Sequence, residues 1–171
     1  MTDGLVLQPG AGRKIQGAST LLKVGAGQSR AWSAFEVEVS PGFDVGAHLH
    51  RDAEELFYIL DGELDLLAFE PQVRAADGWR SWESGTGARV MRSGPGGLMF
   101  VPAGCPHAFA NPGSTLARML FLVSPPGHER YLEEIGELIG EDGPPDPAAI
   151  AEVRARHDIE QLTPMVVGQP R

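Results

Sequence analysis

The feature that most narrows the folds open to this chain is its punctuation. Its 22 glycines and 14 prolines are scattered as single residues and pairs between short apolar runs. Turn residues placed that way interrupt the chain before long helices can propagate. Between the breaks the runs carry strand patterns. In AWSAFEVEV, Phe35, Val37 and Val39 alternate with Glu36 and Glu38, the period-two signature of a strand with one buried face. The strongest run covers 55–69, and Asp61-Gly62 divides it into ELFYIL and ELDLLAF, the signal of a tight hairpin. AHLH, RVMR, GLMFV, HAFA and ARMLFLVS read as further short strands. The total, roughly eight, is the complement of an all-β sandwich or barrel.

The remaining segments flank this β region. Residues 1–15 read as a polar, glycine-rich lead-in, and 70–88 as a long connection holding Trp79 and Trp82. Those two indoles either anchor the loop on the β domain or form a lid, and anchoring is the expectation. Beyond Pro125-Pro126 the period changes. Tyr131, Leu132, Ile135, Leu138 and Ile139 fall at helical spacing, with Gly140 as the expected C-cap. Asp146-Pro147 supplies an N-cap and first-turn proline for a second helix carrying Ile150 and Val153. At 171 residues the expectation is one domain: a β-barrel over 16–125 with a helical tail, 126–171, packed outside it or over one mouth.

Charge and cysteine usage exclude some roles. A net charge of −9 repels the phosphate backbone, so nucleic acid is not an expected partner. The single cysteine, Cys105, precludes an internal disulfide and fits a reducing compartment. The segment MTDGLVLQPG lacks the pattern of a secretory signal, and no apolar run reaches the ~20 residues of a membrane span. The expectation is a cytoplasmic protein.

The chemistry is concentrated in four residues. His48 and His50 are one residue apart in a β-like stretch, so both imidazoles leave the same face. Glu55 opens the next strand, and His107 opens another after a Gly-Cys-Pro turn. Three imidazoles and one carboxylate suit a divalent first-row ion such as Fe, Mn, Ni, Cu, Co or Zn, with positions left for water or substrate. Glu54 is the alternative to Glu55, but parity places Glu55 inward with Phe57 and Ile59.

The spacing around these residues carries a resemblance. Gly42-x5-His48-x-His50-x4-Glu55-x6-Gly62 resembles the first motif of the cupins, and Gly96-x5-Pro102-x-Gly104-x2-His107-x3-Asn111 resembles the second. The resemblance implies a jelly-roll β-barrel with a metal near one mouth, held by His48, His50, Glu55 and His107. It extends to single-domain bacterial cupins described as quercetin-dioxygenase-like, and so implies a dioxygenase-like oxidoreductase acting on a small organic substrate. Two alternatives stand beside that reading. One is a non-redox isomerase, cyclase or lyase using the ion as a Lewis acid, with Glu55 or a metal-bound hydroxide as base. The other is a small-molecule-binding cupin without turnover. Phe57, Phe109, Met119 and Phe121 are the candidate substrate-pocket residues, Glu55 is the candidate catalytic residue, and a homodimer is the expected assembly. Cys105 is expected to be a small turn residue, and His128 and His157 ordinary surface histidines.

Overall fold

The structure is a computed structural model that describes residues 3–75, 78–140 and 146–166. It is mostly β, with two antiparallel sheets and two helices. The strands are β1 (Arg13–Ile15), β2 (Thr20–Val24), β3 (Ser33–Val39), β4 (His48–Leu49), β5 (Glu54–Asp61), β6 (Leu64–Ala68), β7 (Met91–Ser93), β8 (Leu98–Val101), β9 (His107–Ala110), β10 (Ala117–Ser124) and β11 (Glu160–Gln161). One sheet has the order β1-β2-β3-β10-β5-β8, the other β11-β4-β9-β6-β7. The helices are α1 (His128–Gly140) and α2 (Pro147–Arg156), and neither is long and apolar enough to cross a membrane.

The centre of the larger sheet follows from alternation. In β10 the side chains of Ala117, Met119, Phe121 and Val123 are buried while those between them are half-buried. The register sets Phe121 opposite Phe35 of β3 and Phe57 of β5. Phe121 stacks on Phe57 with ring centroids 4.8 Å apart and on Phe35 at 5.4 Å. Each such pair adds about 0.5–1.5 kcal/mol beyond area burial. Leu64, Leu66 and Phe109 of the smaller sheet join the same core, so the principal core lies between the sheets.

The expected hairpin at Asp61-Gly62 is not formed. β5 pairs with β10 and β8, whereas β6 pairs with β9 and β7, so this turn carries the chain from one sheet to the other. Gly62 has φ 75°, and a Cβ there would lie 2.7 Å from that of Ala117. A glycine at such a corner serves the local conformation equally well, but the pairing partners come from distant strands.

Two flanking segments also differ from expectation. The stretch 1–15 ends in β1, whose Ile15 is fully buried. The C-terminal stretch holds more than helices: β11 pairs with β4, setting Gln161 opposite His48. α2 has the expected cap, with the Asp146 side chain accepting from the Ala148 N–H at 2.9 Å and Pro147 in its first turn. The C-cap expected at Gly140 involves residues 141–145, which lie outside the described residues. α1 crosses the turn after β1 so closely that a Cβ on Gly17 would overlap the Gly136 backbone, which makes both glycines necessary.

The long connection is anchored. Trp79 and Trp82 are each 2% exposed and pack over Ala47, Leu67, Ala108 and Ala110. Trp79 donates from Nε1 to Asp44 at 2.9 Å, and Trp82 to the Ala75 carbonyl at 3.2 Å. In β9, Ala108 and Ala110 meet the indoles while the alternate residues, His107 and Phe109, face the other way. The loop thereby braces the strand that carries His107.

Candidate metal centre

β4, the turn after it, β5 and β9 bring His48, His50, Glu55 and His107 together. Their potential ligand atoms all lie within 4.8 Å of one another, a group that can hold a metal ion. The pairing of His48 with His107 across β4 and β9 fixes two corners of the group. The third comes from the turn, where the Gly104 N–H donates to the His50 carbonyl at 2.6 Å. All four residues are buried, from 0% exposure for His107 to 8% for His48. Glu54, the alternative carboxylate, is exposed and points the other way.

The imidazoles share an orientation. Nδ1 of His48 lies 2.9 Å from the Gly46 carbonyl, that of His107 3.1 Å from the Cys105 carbonyl, and that of His50 3.2 Å from the Asp158 carbonyl. A carbonyl oxygen only accepts, so each Nδ1 carries a proton and each Nε2 is free of the backbone, offering a lone pair when the ring is neutral. Nε2 of His50 and of His107 and Oε2 of Glu55 are buried with no aligned hydrogen-bond partner among the described residues. They lie close nonetheless, with His107 Nε2 2.7 Å from Glu55 Oε2 and His50 Nε2 3.2 Å from Oε1. Three buried imidazole nitrogens converging on one carboxylate form a group that a cation can complete, taking the place of the ring protons.

Burial lowers the pKa of His48 well below the ordinary histidine value, and neighbouring His107 adds to this. Burial also works to lower that of His50, but Glu55 outweighs it and the net shift is upward. Burial opposes ionisation of Glu55, yet His107 and His50 hold its carboxyl well below the usual range. The cluster keeps an ionised carboxylate in a dry site and therefore calls for positive charge.

Beside the group lies a cavity of about 630 Å³, lined mainly by apolar side chains. Phe57, Phe109, Met119 and Phe121 line it together with His48 and Glu55. The helices contribute the facing wall through Tyr131, Leu132 and Ile135 of α1 and Arg154 of α2. His128, expected at the surface, is part of this wall. Its ring lies 5.7 Å from that of His50 and 5.4 Å from that of Phe121, and burial lowers its pKa to about 4. The total exposure of the residue is intermediate because it borders the cavity. His157, the other expected surface histidine, is half-buried against Tyr131 and contacts Glu134 at 2.9 Å. Cys105 is a half-buried turn residue whose thiol pKa is raised by burial.

Asp158 is the residue that sequence reasoning missed. Beyond its carbonyl contact with His50, its carboxylate accepts from the backbone N–H groups of Arg51 and Asp52 at 2.8 and 3.0 Å. It adopts φ 56°, unusual outside glycine, and so clamps the turn that carries His50. A contact spanning 108 residues leaves no local sequence signal.

The sequence matches a known family. The model of the family described as Cupin matches residues 18–135. None of the curated proteins matches the chain. Among solved structures it is similar to TT1209 from Thermus thermophilus, with 21% identity, 63% of this chain and 84% of that chain covered, and a TM-score of 0.46. It is also similar to the DMSP lyase DddQ from Ruegeria pomeroyi DSS-3, with 26% identity, 63% and 46% covered, and a TM-score of 0.46. A sugar phosphate isomerase from Silicibacter pomeroyi DSS-3 shows 22% identity, 68% and 67% covered, and a TM-score of 0.47.

Proposed function

This chain belongs to the cupin family, and on that premise we propose that it is a metal-dependent, dioxygenase-like oxidoreductase for a small organic substrate. The observation that carries the metal is the common orientation of the three imidazoles, each with Nδ1–H on a backbone carbonyl and Nε2 turned toward Glu55. His48, His50, Glu55 and His107 would hold one divalent transition ion. When bound, such an ion supplies electron exchange with O₂ and a positive charge that polarises substrate oxygen atoms. The protein residues supply the rest. Phe57, Phe109, Met119 and Phe121 exclude water and hold the apolar body of the substrate beside the ligands. Glu55 is the candidate catalytic group, a carboxylate held ionised and able to accept a proton from a substrate hydroxyl.

The sheets are those of a jelly-roll barrel over 16–125, with the described residues of 126–171 packed on it and closing one mouth. The assembly is a cytoplasmic homodimer, a reading supported by the outward apolar side chains Leu98 and Phe100 on edge strand β8.

One observation favours a second chemistry at the same site. His128 and Tyr131 place proton-carrying groups in the wall near the ligands, as non-redox isomerase or lyase chemistry requires. Elemental analysis of protein purified without added metal, with oxygen uptake on flavonols and enediol-like compounds, separates the two. Stoichiometric Fe, Mn, Ni or Cu with uptake supports the oxygenase. A strict Zn preference without uptake sinks it. Full metal occupancy in His48→Ala and His107→Ala would overturn the site itself.

A further inference from the structure

The helical wall of the cavity contains a charge that the metal centre does not use. α2 turns Ile150, Val153, Arg154 and His157 toward the protein, the spacing of a buried helical stripe, so Arg154 occupies a position that an apolar side chain would ordinarily fill. Its Nε is buried with no hydrogen-bond partner among the described residues. The other arginine with a buried, unpaired Nε, Arg118, lies 3.7 Å from Glu36 through its guanidinium, and the neighbouring Arg156 is paired with Glu134 at 2.6 Å. Arg154 has no carboxylate within ion-pair distance among the described residues. It lines the cavity, with the Tyr131 hydroxyl against its guanidinium.

A guanidinium with a hydroxyl but no carboxylate beside it, facing a mainly apolar cavity, is stabilised by an anion that meets it there. The rings of His128 and Tyr131, 5.2 Å apart, lead along the wall from His50 toward Arg154. Arg154 is the sole Lys or Arg among the described residues that line the cavity. At the helical wall, away from the metal ligands, one guanidinium matches one negative charge, whereas a phosphate dianion calls for more. The Glu38 and Glu55 carboxylates that also line the cavity disfavour further negative charge. We infer that Arg154, assisted by the Tyr131 hydroxyl, binds a carboxylate of the substrate, so that the ligands of this protein are small apolar organic monoacids. This rests on the proposed reading of the cavity as the substrate site.

The test is a binding measurement with a matched pair of probes, 3-phenylpropanoate and its neutral amide 3-phenylpropanamide. Titration calorimetry is run on wild type, Arg154→Met and Arg154→Lys, all stripped of metal with chelator so that no ion can capture the carboxylate. The expected result is acid binding about tenfold or more tighter than amide in wild type, a gap of about 1.4 kcal/mol or more. Arg154→Met should erase that preference and Arg154→Lys should keep most of it. Equal affinity for acid and amide, binding of neither, or an acid preference retained by Arg154→Met overturns the inference. Should Arg154→Met fail to fold, the wild-type ratio and Arg154→Lys still decide. Metal content of the unstripped protein is measured in parallel. A protein that holds no metal yet prefers the acid defeats the metal reading and leaves Arg154 in its role, and the reverse pattern does the opposite.

Discussion

His128 gives the most direct physical test of the cavity wall. Its pKa falls from the ordinary 6.5 to about 4 because burial penalises the imidazolium and His50 repels it, although Glu55 pulls the other way. The folded chain therefore binds fewer protons at this residue than the unfolded chain between those values. This contribution to stability is fully present above pH 6.5 and is lost as the pH falls through about 4. At full burial, linkage makes the loss between pH 7 and pH 5 about 2 kcal/mol. Solvent in the cavity beside the ring screens the charge and reduces this to about 1 kcal/mol. The measurement is urea denaturation at pH 7, 6 and 5, with chelator present, for wild type, His128→Phe and His128→Gln. Neither replacement titrates in this range, and the metal-ligand histidines are present in all three proteins, with His50, 5.7 Å from the His128 ring, the one whose titration the substitutions also touch. Wild type should lose about 1 kcal/mol more than either variant across that interval. Profiles that run parallel to within about 0.3 kcal/mol would place His128 in water and refute the buried wall.

Other consequences follow from single contacts. Asp158→Ala removes the carboxylate that clamps the His50 turn through Arg51 and Asp52, and should weaken metal binding about tenfold in a chelator competition. Gly62→Ala places a Cβ against Ala117 at φ 75° and should cost about 1–3 kcal/mol in urea denaturation, with unchanged metal content. Asn111→Ala removes the amide that donates to the Val39 and Thr115 carbonyls at 2.8 Å and accepts from Gly113. It should cost about 2–4 kcal/mol by the same assay, since those carbonyls lie in buried or partly buried surroundings. Metal removal should lower the unfolding free energy by about 2.7 kcal/mol when the free ion stands at a hundred times its Kd, read as a drop in Tm on adding chelator.

Most of the strands and the donor set were legible along the chain. Period-two alternation told which faces of β3, β5 and β10 are buried, and the parity of Glu55 with Phe57 and Ile59 chose the inward carboxylate over Glu54. Two spaced motifs, each local in itself, marked His48, His50, Glu55 and His107 as one group through their resemblance to those of the cupins. These features are local: each depends on a residue and its neighbours along the chain. The tertiary structure alone decided what depends on partners remote in sequence. It separated β5 from β6 where Asp61-Gly62 promised a hairpin, because strand pairing is settled by the strands that compete for each edge. It returned β11 to β4, and with it the Asp158 carbonyl that orients His50. It also turned His128 and Arg154 inward, since one helical residue looks like another on paper until the face opposite it is known. The ligands are written in the local pattern, and the chamber they face is made by packing.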